Sequence, residues 1–223
     1  MDNLRKVHND AKRKLIQRNV PRGSLVLDVG CGRGGDLHKW KDCRVWGMDP
    51  DVASIEEAKK RAKECGYDWA TFAVGEVHFA PRMLFDVICY NFSLQYIFKS
   101  ADCLKSSLRQ IAERIRIGGV FIGIVPDAKK IINLPTDWSD ALGNTIKRGP
   151  HSNNCIQVGN MILVNLADGP YYANGPIPEP LCYKEFLIEE ASEWFELESW
   201  TNMVRDRTGL ITDIYSKFIF RRV

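Results

Sequence analysis

The run Leu27-Asp28-Val29-Gly30-Cys31-Gly32-Arg33-Gly34-Gly35-Asp36-Leu37 concentrates the residue types from which a ligand site is built. Its glycines let a backbone turn tightly and approach a bound molecule with no Cβ in between, and a helix opening after them offers free N–H groups. Gly30, Gly32 and Gly35 satisfy G-x-G-x-x-G, and Asp49 falls ~20 residues on, where a dinucleotide site keeps its ribose-binding acid. Gly30, Gly32 and Gly34 equally satisfy G-x-G-x-G. Spacing alone therefore predicts a nucleotide-like cofactor without choosing among them.

Charge narrows the choice. Asp28 sets a carboxylate beside the turn, which suits a ligand with a cationic amino-acid end better than a pyrophosphate. No Tyr-x-x-x-Lys pair is present to serve a short-chain dehydrogenase. An acidic strand end followed by G-x-G-x-G resembles motif I of class I S-adenosylmethionine methyltransferases, and a nicotinamide dehydrogenase is the alternative.

The elements that must hold this turn alternate. Leu25 to Val29, Arg44 to Met48, Trp69 to Val74, Phe85 to Tyr90 and Val120 to Val125 are short apolar runs of the kind buried on both sheet faces. Gly35 to Lys41, Ala53 to Cys65 and Ala101 to Arg116 read as helices, with polar starts at Asp51 and Ser100 and stops at Gly66 and Gly118. This order predicts an α/β fold with a mainly parallel sheet and helices on both faces. Beyond Asp127 the rhythm breaks. Lys129 to Gly149 is polar and interrupted by Pro135, Cys155 to Leu166 reads as a hairpin or edge strand, Tyr183 to Trp194 as a helix, and Phe195 to Val204 and Ile211 to Phe220 as closing strands.

The chain has 223 residues, 45% hydrophobic and 26% charged, the composition of one globular domain over 1–223. A basic helical segment over 1–22 carries Arg5, Lys6, Lys12, Arg13, Lys14, Arg18 and Arg22, and 128–180 reads as an insertion over one rim. No apolar run approaches the ~20 residues of a membrane span, so no membrane partner is expected. The seven cysteines, Cys155 among them, are scattered with no C-x-x-C pair, which predicts a reducing intracellular compartment. That means cytoplasm, virus factory or virion, or the nucleus of a cellular host. His8, His38, His78 and His151 lie far apart, so no metal is expected.

The segment after the fourth strand, Tyr90-Asn91-Phe92-Ser93-Leu94-Gln95-Tyr96-Ile97-Phe98-Lys99-Ser100, lacks the two prolines of amino-group methyltransferases. Together with Gly34-Gly35-Asp36-Leu37, Lys39-Trp40 and the stretch Leu4 to Lys12, it resembles the mRNA cap guanine-N7 methyltransferases. Gly118 to Asp127, Ile177-Pro178-Glu179 and Tyr215-Ser216-Lys217-Phe218 extend the resemblance, which is weakest from Lys129 to Gly175. It implies a Rossmann-like class I methyltransferase whose final strand is antiparallel, and the short length resembles the methyltransferase module of a larger viral capping enzyme, with a stand-alone enzyme as the alternative. Upstream triphosphatase and guanylyltransferase modules, or a stimulatory subunit, are the partners such a module implies beside capped RNA.

Carried over by position, the resemblance assigns Lys12, Asp28, Gly30, Gly32, Asp49, Glu76, Asn91 and Tyr96 to S-adenosyl-L-methionine. Lys12 would take the methionine carboxylate, Asp49 the ribose hydroxyls and Glu76 the adenine. It assigns His8, Asn9, Arg33, Lys39, Arg61, Gln95, Glu179 and Tyr215 to the cap, with Arg33 and Lys39 on the triphosphate and Glu179 on guanine N1 and N2. The chain departs from the family at Gln95 (His there), Asn91 (Gln), Arg33 (Lys) and Val7-His8 (Phe-Asn). Without the resemblance, Asp36 reads as a helix cap, Arg61 and Lys39 as solvated helix charges, Tyr215 as a core aromatic and Glu179 as a loop acid. Guanine N7 carries no proton, so the expected mechanism is positioning, with no catalytic base. A cap- or cofactor-binding module without catalysis, or a methyltransferase for another RNA or small molecule, are the alternatives.

Overall fold

In a computed structural model of the chain, residues 2–149, 157–167 and 172–223 are described; His151 and Cys155 lie outside them. Helix α1 (Asp2–Asn19) precedes β1 (Leu25–Val29), β2 (Arg44–Asp49), α2 (Val52–Glu64), β3 (Ala70–Val74), β4 (Phe85–Asn91), α3 (Ala101–Ala112) and β5 (Ile115–Pro126). Then come α4 (Ala128–Ile132), β6 (Asp137–Ser139), β7 (Thr145–Arg148), β8 (Met161–Asn165), β9 (Ile177–Pro180), α5 (Lys184–Ala191), β10 (Phe195–Asn202) and β11 (Tyr215–Arg222).

Seven strands form one sheet in the order β10-β11-β5-β4-β1-β2-β3. The pairs β4·β5, β1·β4, β1·β2 and β2·β3 are parallel, whereas β11 runs antiparallel to both β5 and β10. The strand order reverses between β1 and β4, and in such sheets ligands bind beyond the carboxyl ends of the strands at that switch point. Val26, Leu27, Val87, Ile88, Phe121, Ile122 and Phe218 are wholly or almost wholly buried there. Strands covered on both faces need such unbroken apolar runs.

The sequence places the caps correctly. Asp51 accepts the Ser54 amide at 3.0 Å and Ser100 accepts that of Cys103 at 3.1 Å, which satisfies donors that a helix start leaves open. Ile55, Ala58 and Ala62 then face the core at helical spacing.

Two expected helices are corrected. Gly35 to Lys41 forms only a 3₁₀ turn at Leu37–Lys39, because the glycines disfavour helix and Asp36 makes ion pairs with lysines in place of a cap. Helix α3 stops at Ala112, not at Arg116. The buried Arg114 guanidinium turns away to donate to the Ala80 and His78 carbonyls at 3.2 Å each, and β5 starts one residue later. Gly118 is accordingly no helix stop. It lies inside β5 with φ 75°, near the register shift opposite Phe85 and Val87, where a left-handed residue is needed.

The region past Asp127 has more order than its polarity suggests: β6, β7, β8 and β9 make a second, wholly antiparallel sheet. Ile146, Ile162 and Val164 give it a buried face, each alternating with an outward residue. The hairpin or edge strand expected over Cys155 to Leu166 is, among the described residues, β8 at Met161–Asn165, an inner strand paired with both β7 and β9, and the helix expected over Tyr183 to Trp194 is Lys184–Ala191.

Candidate functional site

A cavity of about 980 Å³ opens beyond the carboxyl ends of β1, β2 and β4, at the upper end of the size range of small-molecule sites. Of the residues singled out from sequence, all line it except Asp28 and Lys39.

One wall is the glycine turn. The amides of Gly30 and Cys31 both donate to the Met48 carbonyl, at 2.7 and 2.9 Å, which ties the turn to β2. Gly30 has φ 77°, and a Cβ there would lie 2.3 Å from that of Ser93. Ser93 in turn donates its hydroxyl to the Val29 carbonyl at 2.6 Å, so the ends of β1 and β4 are joined across the switch point. Asp49 closes β2. Its Oδ2 accepts the Gly32 amide at 2.9 Å and its Oδ1 the Asp51 amide at 3.0 Å. Each oxygen keeps a further lone pair for ligand donors. Because the turn leads only into a short 3₁₀ segment, it has no helix N-terminus with which to cradle a pyrophosphate, which counts against the dinucleotide alternative.

Asn91 ends β4 with both Oδ1 and Nδ2 buried and without a partner among the described residues. A buried polar atom left unpaired costs about 1–3 kcal/mol. A carboxamide in that condition on a cavity wall is suited to a ligand carrying both donors and acceptors, as an adenosyl amino acid does. Tyr96 is partly exposed on the next 3₁₀ turn, Leu94–Lys99, and Glu76 lies beyond β3 with Lys99 3.6 Å from its carboxylate.

Behind the turn sits a charge cluster. Asp36 Oδ1 meets Lys12 Nζ at 2.7 Å and Lys39 Nζ at 2.6 Å, and Lys39 also donates to Asn9 Oδ1 at 3.0 Å. Burial works against the Asp36 carboxylate, but the two lysines outweigh it and hold its pKa below the usual range. The Lys39 side chain has no exposure at all, so its expected place on the phosphates is corrected: the 3₁₀ turn aims it inward. Asp36 makes no cap hydrogen bond, so its reading as a helix cap is corrected as well. Asp28 is likewise behind the cavity wall, 4% exposed, accepting the Trp40 indole N–H at 3.2 Å. Burial, reinforced by Asp36, raises its pKa to about 7.

The opposite wall is aromatic and acidic. His8 stacks on Phe92 with ring centroids 5.1 Å apart, and Tyr215 meets both rings edge-on, at 5.4 and 4.9 Å. Phe92 supplies an aromatic surface where Val7-His8 lacks the family's phenylalanine. It is the one described non-glycine residue with positive φ, 63°, a strain of the kind found at functional sites. Sequence inspection passed over it. Glu179 is no loop acid: it lies in β9 opposite Ile162 and is 5% exposed. Burial raises its pKa, while hydrogen bonds from Tyr172, Gln95 and Tyr96 work the other way. Tyr215 is buried at the start of β11, and burial followed by the Glu179 charge pushes its phenol pKa upward. Arg33 is exposed on the rim, its charge felt by Asp51, and Arg61 lies beside the turn 3.8 Å from Glu57. Among the described residues, no cluster of His, Cys, Asp and Glu could hold a metal ion and no helix is long and apolar enough to cross a membrane.

A seven-stranded sheet with this order, a lone antiparallel β11 and a cavity at its switch point give the chain the Rossmann-like fold of class I methyltransferases. An S-adenosylmethionine-dependent methyltransferase from Clostridium acetobutylicum superimposes with TM-score 0.66 and 14% identity, covering 97% of this chain and 91% of that one. Residues 1–157 match the family described as mRNA (guanine-N(7))-methyltransferase domain, and the chain belongs to that family. The mRNA cap guanine-N(7) methyltransferase of Cryptococcus neoformans is 33% identical over 151 residues, 59% of this chain and 21% of the relative. That of Saccharomyces cerevisiae is 31% identical over 175 residues, 69% of this chain and 40% of the relative. The chain thus spans less than half of either relative. Both are fungal, and they lend no support to the expectation of a viral enzyme.

Proposed function

We propose that the chain transfers a methyl group from S-adenosyl-L-methionine to N7 of the 5′ guanine cap of mRNA, converting GpppN-RNA to m7GpppN-RNA and releasing S-adenosyl-L-homocysteine. The observation that carries this reading is that one cavity joins the glycine turn, Asp49 and Asn91 to the wall of Glu179, Gln95 and Tyr215.

On this reading Lys12, Gly30, Gly32, Asp49, Asn91 and Tyr96 hold the donor, with Glu76 near its adenine, and Asp28 and Lys39 act from behind by fixing Trp40 and Asp36. His8, Asn9, Arg33, Arg61, Gln95, Glu179 and Tyr215 hold the cap. The bound sulfonium supplies an electrophilic methyl. Guanine N7 has a free lone pair and no proton to lose, so no side chain need act as base. The residues orient the two ligands in line, which is worth several kcal/mol by positioning alone. Glu179, at the far edge of the purine, offsets the positive charge that methylation places on the ring.

Capped RNA is the macromolecular partner this requires. Triphosphatase and guanylyltransferase modules, or a stimulatory subunit, and an intracellular reducing compartment complete the proposal, as does the rim role of residues 128–180 within a single domain. The test is incubation with GpppN-RNA and methyl-labelled donor, followed by nuclease digestion. Recovery of labelled m7GpppN supports the proposal; binding of S-adenosyl-L-homocysteine without any transfer would instead establish a binding module.

A further inference from the structure

We propose that Tyr172 is a positioning residue for the acceptor base: its hydroxyl and the Gln95 amide each bond a different oxygen of Glu179, leaving that carboxylate fixed to accept two adjacent N–H groups. This rests on the cap-methylation reading and adds a residue that no motif in the sequence marks.

The Tyr172 hydroxyl donates to Glu179 Oε1 at 2.7 Å and Gln95 Nε2 donates to Oε2 at 3.1 Å. The terminal torsion of a glutamate is broad and two-fold, so a carboxylate alone would not hold one plane. Donors on separate oxygens fix it. Gln95 is itself oriented, since Nε2 also donates to the Phe92 carbonyl at 3.1 Å, and a flipped amide would set its oxygen against two acceptors. An ionised carboxylate has about four lone-pair sites. Tyr96 bonds the same carboxylate; once a bound base displaces the hydroxyl of that exposed side chain, what faces the ligand is one acceptor on each oxygen. Guanine answers this with N1–H and the adjacent exocyclic N–H, whereas adenine brings an acceptor at N1 that leaves a buried charge unpaired. Tyr172 lines the same cavity and precedes Glu179 by seven residues, so the segment leading into β9 carries both the reader and its brace.

The experiment is a double-mutant cycle of Tyr172→Phe and Glu179→Gln, read as KM and kcat for methyl transfer to GpppRNA, with the KM for S-adenosyl-L-methionine measured alongside. Tyr172→Phe is expected to raise the KM for capped RNA about tenfold, as loss of a hydrogen bond to a charged group implies. The donor KM should stay within about twofold, and in the Glu179→Gln background the substitution should add nothing. An unchanged RNA KM, or losses that multiply in the double variant, overturns the proposal. Should Tyr172→Phe fail to fold, Gln95→Met removes the other donor and enters the same cycle with the same expected pattern. Absence of any transfer by the unmodified protein overturns the cap-methylation reading and this proposal with it; multiplicative losses overturn the role of Tyr172 alone.

Discussion

Lys39 reaches Asp36 at 2.6 Å with a side chain that touches no solvent, and so fixes the carboxylate that Lys12 shares at the edge of the cavity. Lys39→Met leaves Asp36 its bond to Lys12 and should lower the urea midpoint only modestly. Asp36→Leu instead strands the Lys39 ammonium away from solvent, and a buried charge without its partner costs about 3–5 kcal/mol. Adding Lys39→Met to Asp36→Leu should therefore restore part of that loss. Equal stabilities would mean that the pair is not coupled.

Gly30 sits against Ser93 in a left-handed conformation. Gly30→Ala brings a Cβ into that contact and adds backbone strain of about 1–2 kcal/mol. Calorimetric affinity for S-adenosyl-L-homocysteine should fall at least tenfold. Gly23, left-handed with open space around it, is the control: Gly23→Ala should carry the strain and leave the ligand affinity alone.

Asp28 has its folded pKa raised from 3.8 to about 7. A raised acid pKa means that the folded state binds the proton more tightly than the unfolded chain. Its contribution to stability is thus full below the unfolded value and lost as pH rises toward 7, on the order of 4 kcal/mol in all. Asp28→Asn should flatten unfolding free energy between about pH 4 and pH 7, measured by urea titration. An unchanged slope would show that Asp28 is ionised in the fold.

Glu179 also titrates above the ordinary carboxylate range, with burial the main cause. On the cap-methylation proposal its charged form accepts the cap, so affinity for a GpppG analogue should decline on acidification at a higher pH than a surface glutamate would give. Glu179→Gln should abolish this acid limb and weaken binding at neutral pH by about 2–5 kcal/mol, as truncating one partner of a buried charged contact does. Fluorescence titration across pH distinguishes the two profiles.

The glycine turn, Asp49 and the caps Asp51 and Ser100 were legible because their roles follow from local backbone chemistry. So were the parallel strands, whose unbroken apolar runs signal burial on both faces. Lys39 was misplaced because sequence position does not say which way a short 3₁₀ turn faces, and Asp28 because alternation along β1 does not say which face meets the cavity and which meets Trp40. Phe92 escaped notice since nothing in its residue type signals a positive φ; its amide N–H donates to the Ile124 carbonyl of β5 at 2.8 Å. Tyr172 and strands β6 and β7 lie where polar composition hides a shallow alternating face, and only pairing with β8 and β9 gives it a partner.

The antiparallel sheet β6 to β9 supplies Glu179, while the glycine turn and Asp49 belong to the seven-stranded one. On the proposed reading, the carboxylate that reads the methyl acceptor and the seat of the methyl donor therefore belong to separate sheets, while Gln95, on the turn after β4, and Tyr215 face the acceptor from the larger one. Substitutions in the smaller sheet can retune which nucleobase is admitted while the donor's seat stays as it is, a modularity open to design as much as to descent.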